Sequence, residues 1–268
     1  MNNEEARFFI KKMMEGYKKR KKEGNLYSSD NFIPENIITT YYGFVDKPKF
    51  SYIIKEYKKE FIFNEARVER NISKEEQMGL GEIYDYIENF DFSKDYFNIF
   101  VTSLLLHQKL YSKCPDPSFG GNLRDTDPIM YDLNMEIPTA SEAKRIFNSY
   151  ISSSNDIFKP LENNDIFGYI NNCVILVTDL IKLQPFADGN KRTFRALLSL
   201  LLKKIDIPPI YVEVTEREEY KECLIRGMKY NDYISIIRFY YYKICDAIMT
   251  LDIEKSHIHE SEKIFQKK

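Results

Sequence analysis

An all-α domain, interrupted by one short β-hairpin, is the fold class this sequence predicts. Apolar residues recur at three- and four-residue spacing through most of residues 52–250, the period of helices that bury one face. Ten glycines and ten prolines in 268 residues are too few for a repeat-rich β architecture. Hydrophobic residues at 43% and aromatics at 15% supply enough apolar surface for a substantial core and exclude wholesale disorder.

Residues 1–24 read as a charged helix or arm, with seven Lys/Arg between Lys11 and Lys22 that suit a solvated face. Residues 25–50 mix Asn, Ser, Gly and Pro with aromatics and read as a connector. From Tyr52 the helical period begins, through Ile53, Ile54, Tyr57, Phe61, Phe63, Ala66 and Val68. Ser73 before Glu75 and Glu76 marks a helix start, because acids in a first turn complement the helix dipole. Helices are expected over 74–90 and over 94–113, the latter rich in Leu104, Leu105, Leu106 and Leu110. Residues 114–140, with four prolines and the pair Gly120–Gly121, break the pattern and predict a β-hairpin or ordered loop. Helices resume over 141–154 and 165–182, the second apolar nearly all round and expected to be the buried central helix. After the break QPFADGN, the stretch KRTFRALLSLLLKKI is helical until Pro208 and Pro209, and 216–250 holds one or two further helices. The organisation expected is an arm and connector (1–50), a helical preface (51–92), a core (93–250) and a polar tail (251–268).

Composition excludes several function classes. A net charge of −2 argues against a general nucleic-acid binder, and no apolar run reaches the ~20 residues a bilayer span needs. Cys114, Cys173, Cys223 and Cys245 form no CxxC pair, so reduced thiols and a cytoplasmic setting are the expectation. The three histidines are His107, His257 and His259, two of them in the polar tail, which leaves a histidine metal site almost nothing to use. His107 is expected to be packed or capped within its helix.

The segment Gln184-Pro185-Phe186-Ala187-Asp188-Gly189-Asn190-Lys191-Arg192-Thr193-Phe194-Arg195 lies between two helices. Its loop therefore sits at a helix N-terminus, where unpaired N–H groups and the positive dipole end attract anions. Gly189 permits a tight turn, and Asp188 can hold a divalent cation. Asn190 can donate to a phosphate oxygen, and Arg192 and Arg195, three apart, can grip further oxygens. Phe186 reads as a core anchor. The same residues also suit a glycine-containing turn flanked by ordinary surface arginines.

This segment resembles the signature of Fic-domain proteins, HxFx[D/E]GN[G/K]RxxR, with its first position changed to Gln184. GYINNCVILVTDLIKL before it and ALLSLLLKKIDIPPI after it are similar to the family's flanking helices. Gly121-Asn122-Leu123-Arg124 resembles the Gly-x-x-Arg start of the family's flap hairpin, and Arg217 to Tyr220 its Arg-x-x-Tyr helix. The resemblance spans roughly residues 60–250. It implies ATP as cosubstrate and transfer of AMP to a protein hydroxyl. By it, Asp188 would bind Mg²⁺, Gly189, Asn190, Lys191 and the loop amides would hold the nucleotide, and Arg192 and Arg195 would take its outer phosphates. The flap, with Asp127, Pro128, Ile129 and Met130, would align a target protein as an added strand, although Pro128 lacks an N–H for such pairing. Lys191 is a variant shared with the related Doc-type kinases.

Gln184 stands where the family has its general base. An imidazole can accept a hydroxyl's proton near neutral pH, whereas a glutamine amide cannot. Losing a general base costs about 10²- to 10⁴-fold. Glu65-Ala66-Arg67-Val68-Glu69-Arg70-Asn71 resembles the inhibitory-helix motif [S/T]xxxE[G/N], with Glu65 for Ser/Thr and Arg70 for Gly. By resemblance, Glu69 would pair with Arg195 and block the productive nucleotide pose; it also suits a surface acid paired with neighbours. The expectation is an autoinhibited protein adenylyltransferase scaffold with impaired transfer. The alternatives are a de-adenylylating hydrolase using Glu69, a pseudoenzyme that binds a nucleotide or partner protein, and Doc-like phosphorylation. Expected partners are a nucleotide and a target protein, with no membrane, no nucleic acid, and homo-oligomerisation left open.

Overall fold

In a computed structural model of the chain, the described residues are 34–42, 51–52, 56–70, 72–128 and 135–252, with isolated positions (8, 12, 15, 16 and 19) before them. The expected N-terminal arm and polar tail, with His257 and His259, lie almost wholly outside them. Two compact units are present. One is Lys58–Tyr240; the other draws its residues from before and after that span.

The helices are α1 (Pro34–Tyr42), α2 (Tyr57–Glu65), α3 (Lys74–Asn89), α4 (Ile99–Tyr111), α5 (Ala140–Ser153), the short α6 (Lys159–Glu162), α7 (Ile166–Leu183), α8 (Asn190–Lys203), α9 (Arg217–Tyr230) and α10 (Ile234–Met249). Within the smaller unit, Ser51–Tyr52 (β1) pairs antiparallel with Leu251–Asp252 (β2). In the larger unit no described residue is in a strand. The expected flap hairpin is not seen in 114–128 or 135–139, and Ile129 and Met130 lie outside the described residues.

Local chemistry sets the helix ends. Ser73 and Glu76 form a reciprocal capping box on α3, and Thr139 and Glu142 form another on α5. The Asn98 side chain accepts from Val101 N, so α4 begins at Ile99 and not at 94 as expected. Asp165 caps α7 through Gly168 N. Asn231, at φ 54°, turns the chain between α9 and α10, making two helices of residues 216–250.

In the larger unit, α8 lies against α3, α4 and α7, while α4 packs also on α3 and α5. From Arg192 to Leu202 every residue of α8 is buried, which makes it more enclosed than α7, the helix expected to be central. By length and composition alone α7 could cross a membrane, yet ten of its eighteen residues are buried within the protein, as in a core helix. Helices α3 and α4 touch backbone to backbone at Gly79. A Cβ there would lie inside Leu110 O, so only glycine fits.

Candidate functional site

The site forms where α7 ends, the 184–189 loop turns, and α8 begins. Gln184 closes α7 in the left-handed conformation (φ 49°), and its side-chain Nε2 donates to Ile181 O at 2.6 Å, taking one of the helix's orphan carbonyls. Its Oε1 accepts from Asn190 Nδ2 at 2.9 Å. The amide at the first signature position is thus engaged at both ends. Asn190 reaches back across the loop as well, accepting from Phe186 N and donating to Phe186 O.

Gly189 (φ 75°) is the N-cap of α8, and no side chain caps this terminus. The first-turn N–H groups of Asn190, Lys191 and Arg192 are therefore left for an external acceptor, the arrangement that favours anions. Phe186 stacks on His107 with ring centroids 3.9 Å apart and also meets Phe194. His107 Nδ1 accepts from Gly121 N, so its Nε2 carries the proton donated to Asp188 O. Burial, opposed by that bond, lowers its pKa to about 4. His107 is a neutral strut between Gly121 and the 184–189 loop.

Arg124, also buried, performs a similar task. Its backbone N–H donates to Pro185 O, and its guanidinium reaches Gln184 O, Thr126 O and Pro138 O. Asp127 accepts from Ala140 N at 2.6 Å and so ties the stretch after Arg124 to the start of α5. Pro128 is described and half-buried.

Arg192 and Arg195 are each only 3% exposed, which removes the reading of ordinary surface arginines. Both are held by carboxylates. Arg195 Nε donates to Glu65 Oε2 and its Nη1 to Glu69 Oε1, each at 2.8 Å, with Tyr220 OH at 3.5 Å. Arg192 Nη1 meets Glu76 Oε1 at 2.5 Å, and its Nη2 lies 3.4 Å from Asp188 Oδ2. Glu69 is 22% exposed and takes a second cation, Lys191 Nζ, at 2.6 Å, while its carbonyl accepts from Arg217. Burial opposes ionisation of Glu69, but Arg195 and Lys191 outweigh it and keep its pKa below the usual range. Burial likewise disfavours the Arg195 charge, yet Glu65, Tyr220 and Glu69 hold its pKa well above the ordinary value.

The residues expected to act together are therefore brought together: Gln184, Asp188, Gly189, Asn190, Lys191, Arg192, Arg195 and Glu69. Glu69 sits on the turn after α2 and not on a helix. Helix α2 ends at Glu65, Arg67 turns back to cap Phe63 O, and the bend lets both Glu65 and Glu69 reach Arg195. Asn71 is outside the described residues.

Three site residues escaped sequence reasoning. Glu76 was read only as a first-turn acid, though Ser73-x-x-Glu76 is a capping-box spacing; one of its oxygens serves the cap and the other Arg192. Glu65 looked like a departure from a motif and is instead a buried partner of Arg195. Arg70 looked like a second departure, and its Nη2 lies 2.8 Å from Asp188 Oδ2.

Asp188 offers one carboxylate, half exposed, with Oδ1 on Gly189 N and Oδ2 toward the arginines. A single hard oxygen donor at a solvent-facing anion site suits Mg²⁺, which takes one or two carboxylates and fills its remaining positions with water and phosphate. Burial raises the pKa of this carboxylate, but Arg192 and Arg70 prevail and lower it.

Residues 101–202 match the Fic/DOC family. The chain is similar to Protein adenylyltransferase Fic of Nematostella vectensis, 25% identical over 166 residues, covering 61% of this chain and 36% of that protein. It is also similar to Protein adenylyltransferase fic-1 of Caenorhabditis elegans, 28% identical over 140 residues, covering 49% and 25% of the two chains. The chain thus spans little more than a third of the length of the first relative and a quarter of the second. Among solved structures, Fic-1 (aa134–508) from C. elegans has a TM-score of 0.61 at 16% identity, covering 81% of this chain and 68% of that one. A Fic domain containing signaling protein from Bacteroides thetaiotaomicron has a TM-score of 0.62 at 13% identity, covering 81% and 95%. At those identities the likeness is one of fold.

Proposed function

We propose, from the premise that residues 101–202 form a Fic/DOC family domain, that this chain is a nucleotide-binding protein on an adenylyltransferase scaffold, closed at rest by Glu69 and slow in transfer because of Gln184. The observation that carries this reading is the pair of buried arginines at an uncapped helix N-terminus, with Glu69 held 2.8 Å from one of them. Two buried guanidiniums are a poor use of a core unless an anion meets them, and here carboxylates of the same chain occupy the donors a phosphate would take. ATP is the proposed ligand. The first-turn amides of α8 and Asn190 would take its inner phosphates, Arg192 and Arg195 the outer ones, and Lys191 would add charge. Asp188 would hold Mg²⁺, which when bound neutralises phosphate charge and orients the leaving group. A target segment is proposed to lie along residues 126–131; the support for this is that Arg124 joins Thr126 O to Gln184 O and Pro138 O.

Gln184 cannot remove a proton from an incoming hydroxyl, and its amide is already spent on Ile181 O and Asn190. Release of AMP from a modified protein is less well supported, because Arg195 and Lys191 hold the Glu69 pKa below the usual range and make it a weaker base toward water. In calorimetry, Glu69→Gly binds Mg·ATP more tightly than the unaltered chain. With labelled ATP, self-adenylylation stays low in the unaltered chain and in Glu69→Gly, and rises about 10²-fold or more when Gln184→His is added. Robust self-adenylylation by the unaltered chain would overturn the assignment of impaired transfer.

A further inference from the structure

Beside the Glu69–Arg195 contact, the same turn makes a second contact of opposite sign. Arg70 Nη2 lies 2.8 Å from Asp188 Oδ2 and 3.2 Å from Glu76 Oε1, with its side chain half exposed. Asp188 Oδ1 accepts from Gly189 N, and Oδ2 is covered by Arg70, with Arg192 Nη2 farther off at 3.4 Å. The adjacent residue, Glu69, covers Arg195 and Lys191. A Mg·nucleotide brings two charged parts, a cation for a carboxylate and phosphates for guanidinium and ammonium groups. Residues 69 and 70 present both parts in the reverse chemical form: a carboxylate on the cations and a guanidinium on the carboxylate.

We propose that Arg70 is a tethered cation that competes with the divalent metal for Asp188, so that the Glu69–Arg70 pair imitates a metal–phosphate unit and blocks both halves of the site. The inference rests on the reading of Asp188 as the metal carboxylate. Because Glu69 and Arg70 are neighbours on one turn, lifting one loosens the other. Metal and nucleotide therefore assist each other's entry in the unaltered chain beyond their direct contact with each other. The linkage is reciprocal: the factor by which the metal tightens nucleotide binding equals the factor by which the nucleotide tightens metal binding. A half-exposed ion pair of this kind is weak, so Arg70 tunes the metal requirement and does not seal the site.

The test uses Mn²⁺ alone, titrated into the full chain and followed by water-proton relaxation. Arg70→Ala is expected to bind Mn²⁺ about three- to fivefold more tightly than the unaltered chain, the range an exposed ion pair permits. Arg70→Lys, which keeps the competing charge, is expected to stay close to the unaltered chain. Asp188→Asn is expected to abolish the site in every background. Equal Mn²⁺ affinity in the unaltered chain and Arg70→Ala, still lost in Asp188→Asn, would overturn the competition and leave the nucleotide-site reading standing. Binding that is absent in every variant, or indifferent to Asp188→Asn, would overturn both the competition and the assignment of Asp188.

Discussion

His107 is neutral at neutral pH, with its one ring proton donated to Asp188 O, although it stands beside the signature loop. Its ring is enclosed by Phe186 and Tyr111, and both nitrogens are bonded. Its folded pKa of about 4 lies below the ordinary 6.5, so the unfolded chain binds the proton first as pH falls. The resulting stability is complete above pH 6.5 and is lost progressively toward pH 4. Up to about 3 kcal/mol is involved at 1.36 kcal/mol per unit. Melting temperatures measured from pH 7 to 4.5 should fall, and His107→Gln should flatten that slope while lowering stability at pH 7. Glu65 sets a second expectation. Its carboxylate and Arg195 are buried together, and replacing Glu65 by Gln leaves a buried guanidinium short of a partner. Urea unfolding should show a loss of roughly 3 kcal/mol. That His107 would be packed was legible in the sequence, but its distant partners, and the partner of Glu65, were not. A histidine inside a helix and an acid at a motif's mismatched position have the same local pattern whatever lies across the core from them.

Among the elements, α3 and α8 owe their functional value to their first turns. The Ser73–Glu76 box ties one oxygen of Glu76 to the cap and leaves the other for Arg192. Ser73→Ala should therefore cost about 1 kcal/mol in stability, and should loosen a partner of Arg192. In α8 the start is Gly189, where an added Cβ would meet Tyr111 OH at 2.8 Å in a left-handed backbone. Gly189→Ala should cost at least about 1–2 kcal/mol by thermal melting, because strain and collision act together. The start of α3 was readable, since Ser73 caps through a contact three residues away, whereas that of α4 was misplaced because its Asn98 cap was not read. The end of α2 was less readable. Apolar spacing continues through Ala66 and Val68, but the chain bends after Glu65, where the pull of Arg195 prevails over local propensity.

For the molecule as a whole, the proposed function makes the larger unit a balance between a state closed by Glu69 and a ligand-bound one. A ligand present at about a hundred times its Kd stabilises the state it binds by about 2.7 kcal/mol, which moves the melting temperature by several degrees in a unit of this size. At one fixed Mg·ATP concentration, Glu69→Gly should therefore gain more in melting temperature than the unaltered chain, and Arg192→Ala should gain less. The three histidines and the near-neutral net charge bear on this balance together. No histidine stands at the first position of the 184–195 segment, and the buried positive charge at the site is concentrated at the start of α8. Much of the site was determined by the sequence itself: the loop between two helices, the glycine turn, the arginines three apart, and an uncharged glutamine at the loop's start. These follow from residue types and short spacings, which act through local backbone geometry. The Glu69–Arg195 pair was expected, but only the tertiary structure decided that Glu65 joins it on Arg195 and that Glu76 meets Arg192. Glu65 and Arg195 are 130 residues apart, and Glu76 and Arg192 are 116 apart. Such pairs exist only after helix packing has closed the chain between them and removed the water that would otherwise have screened their charges.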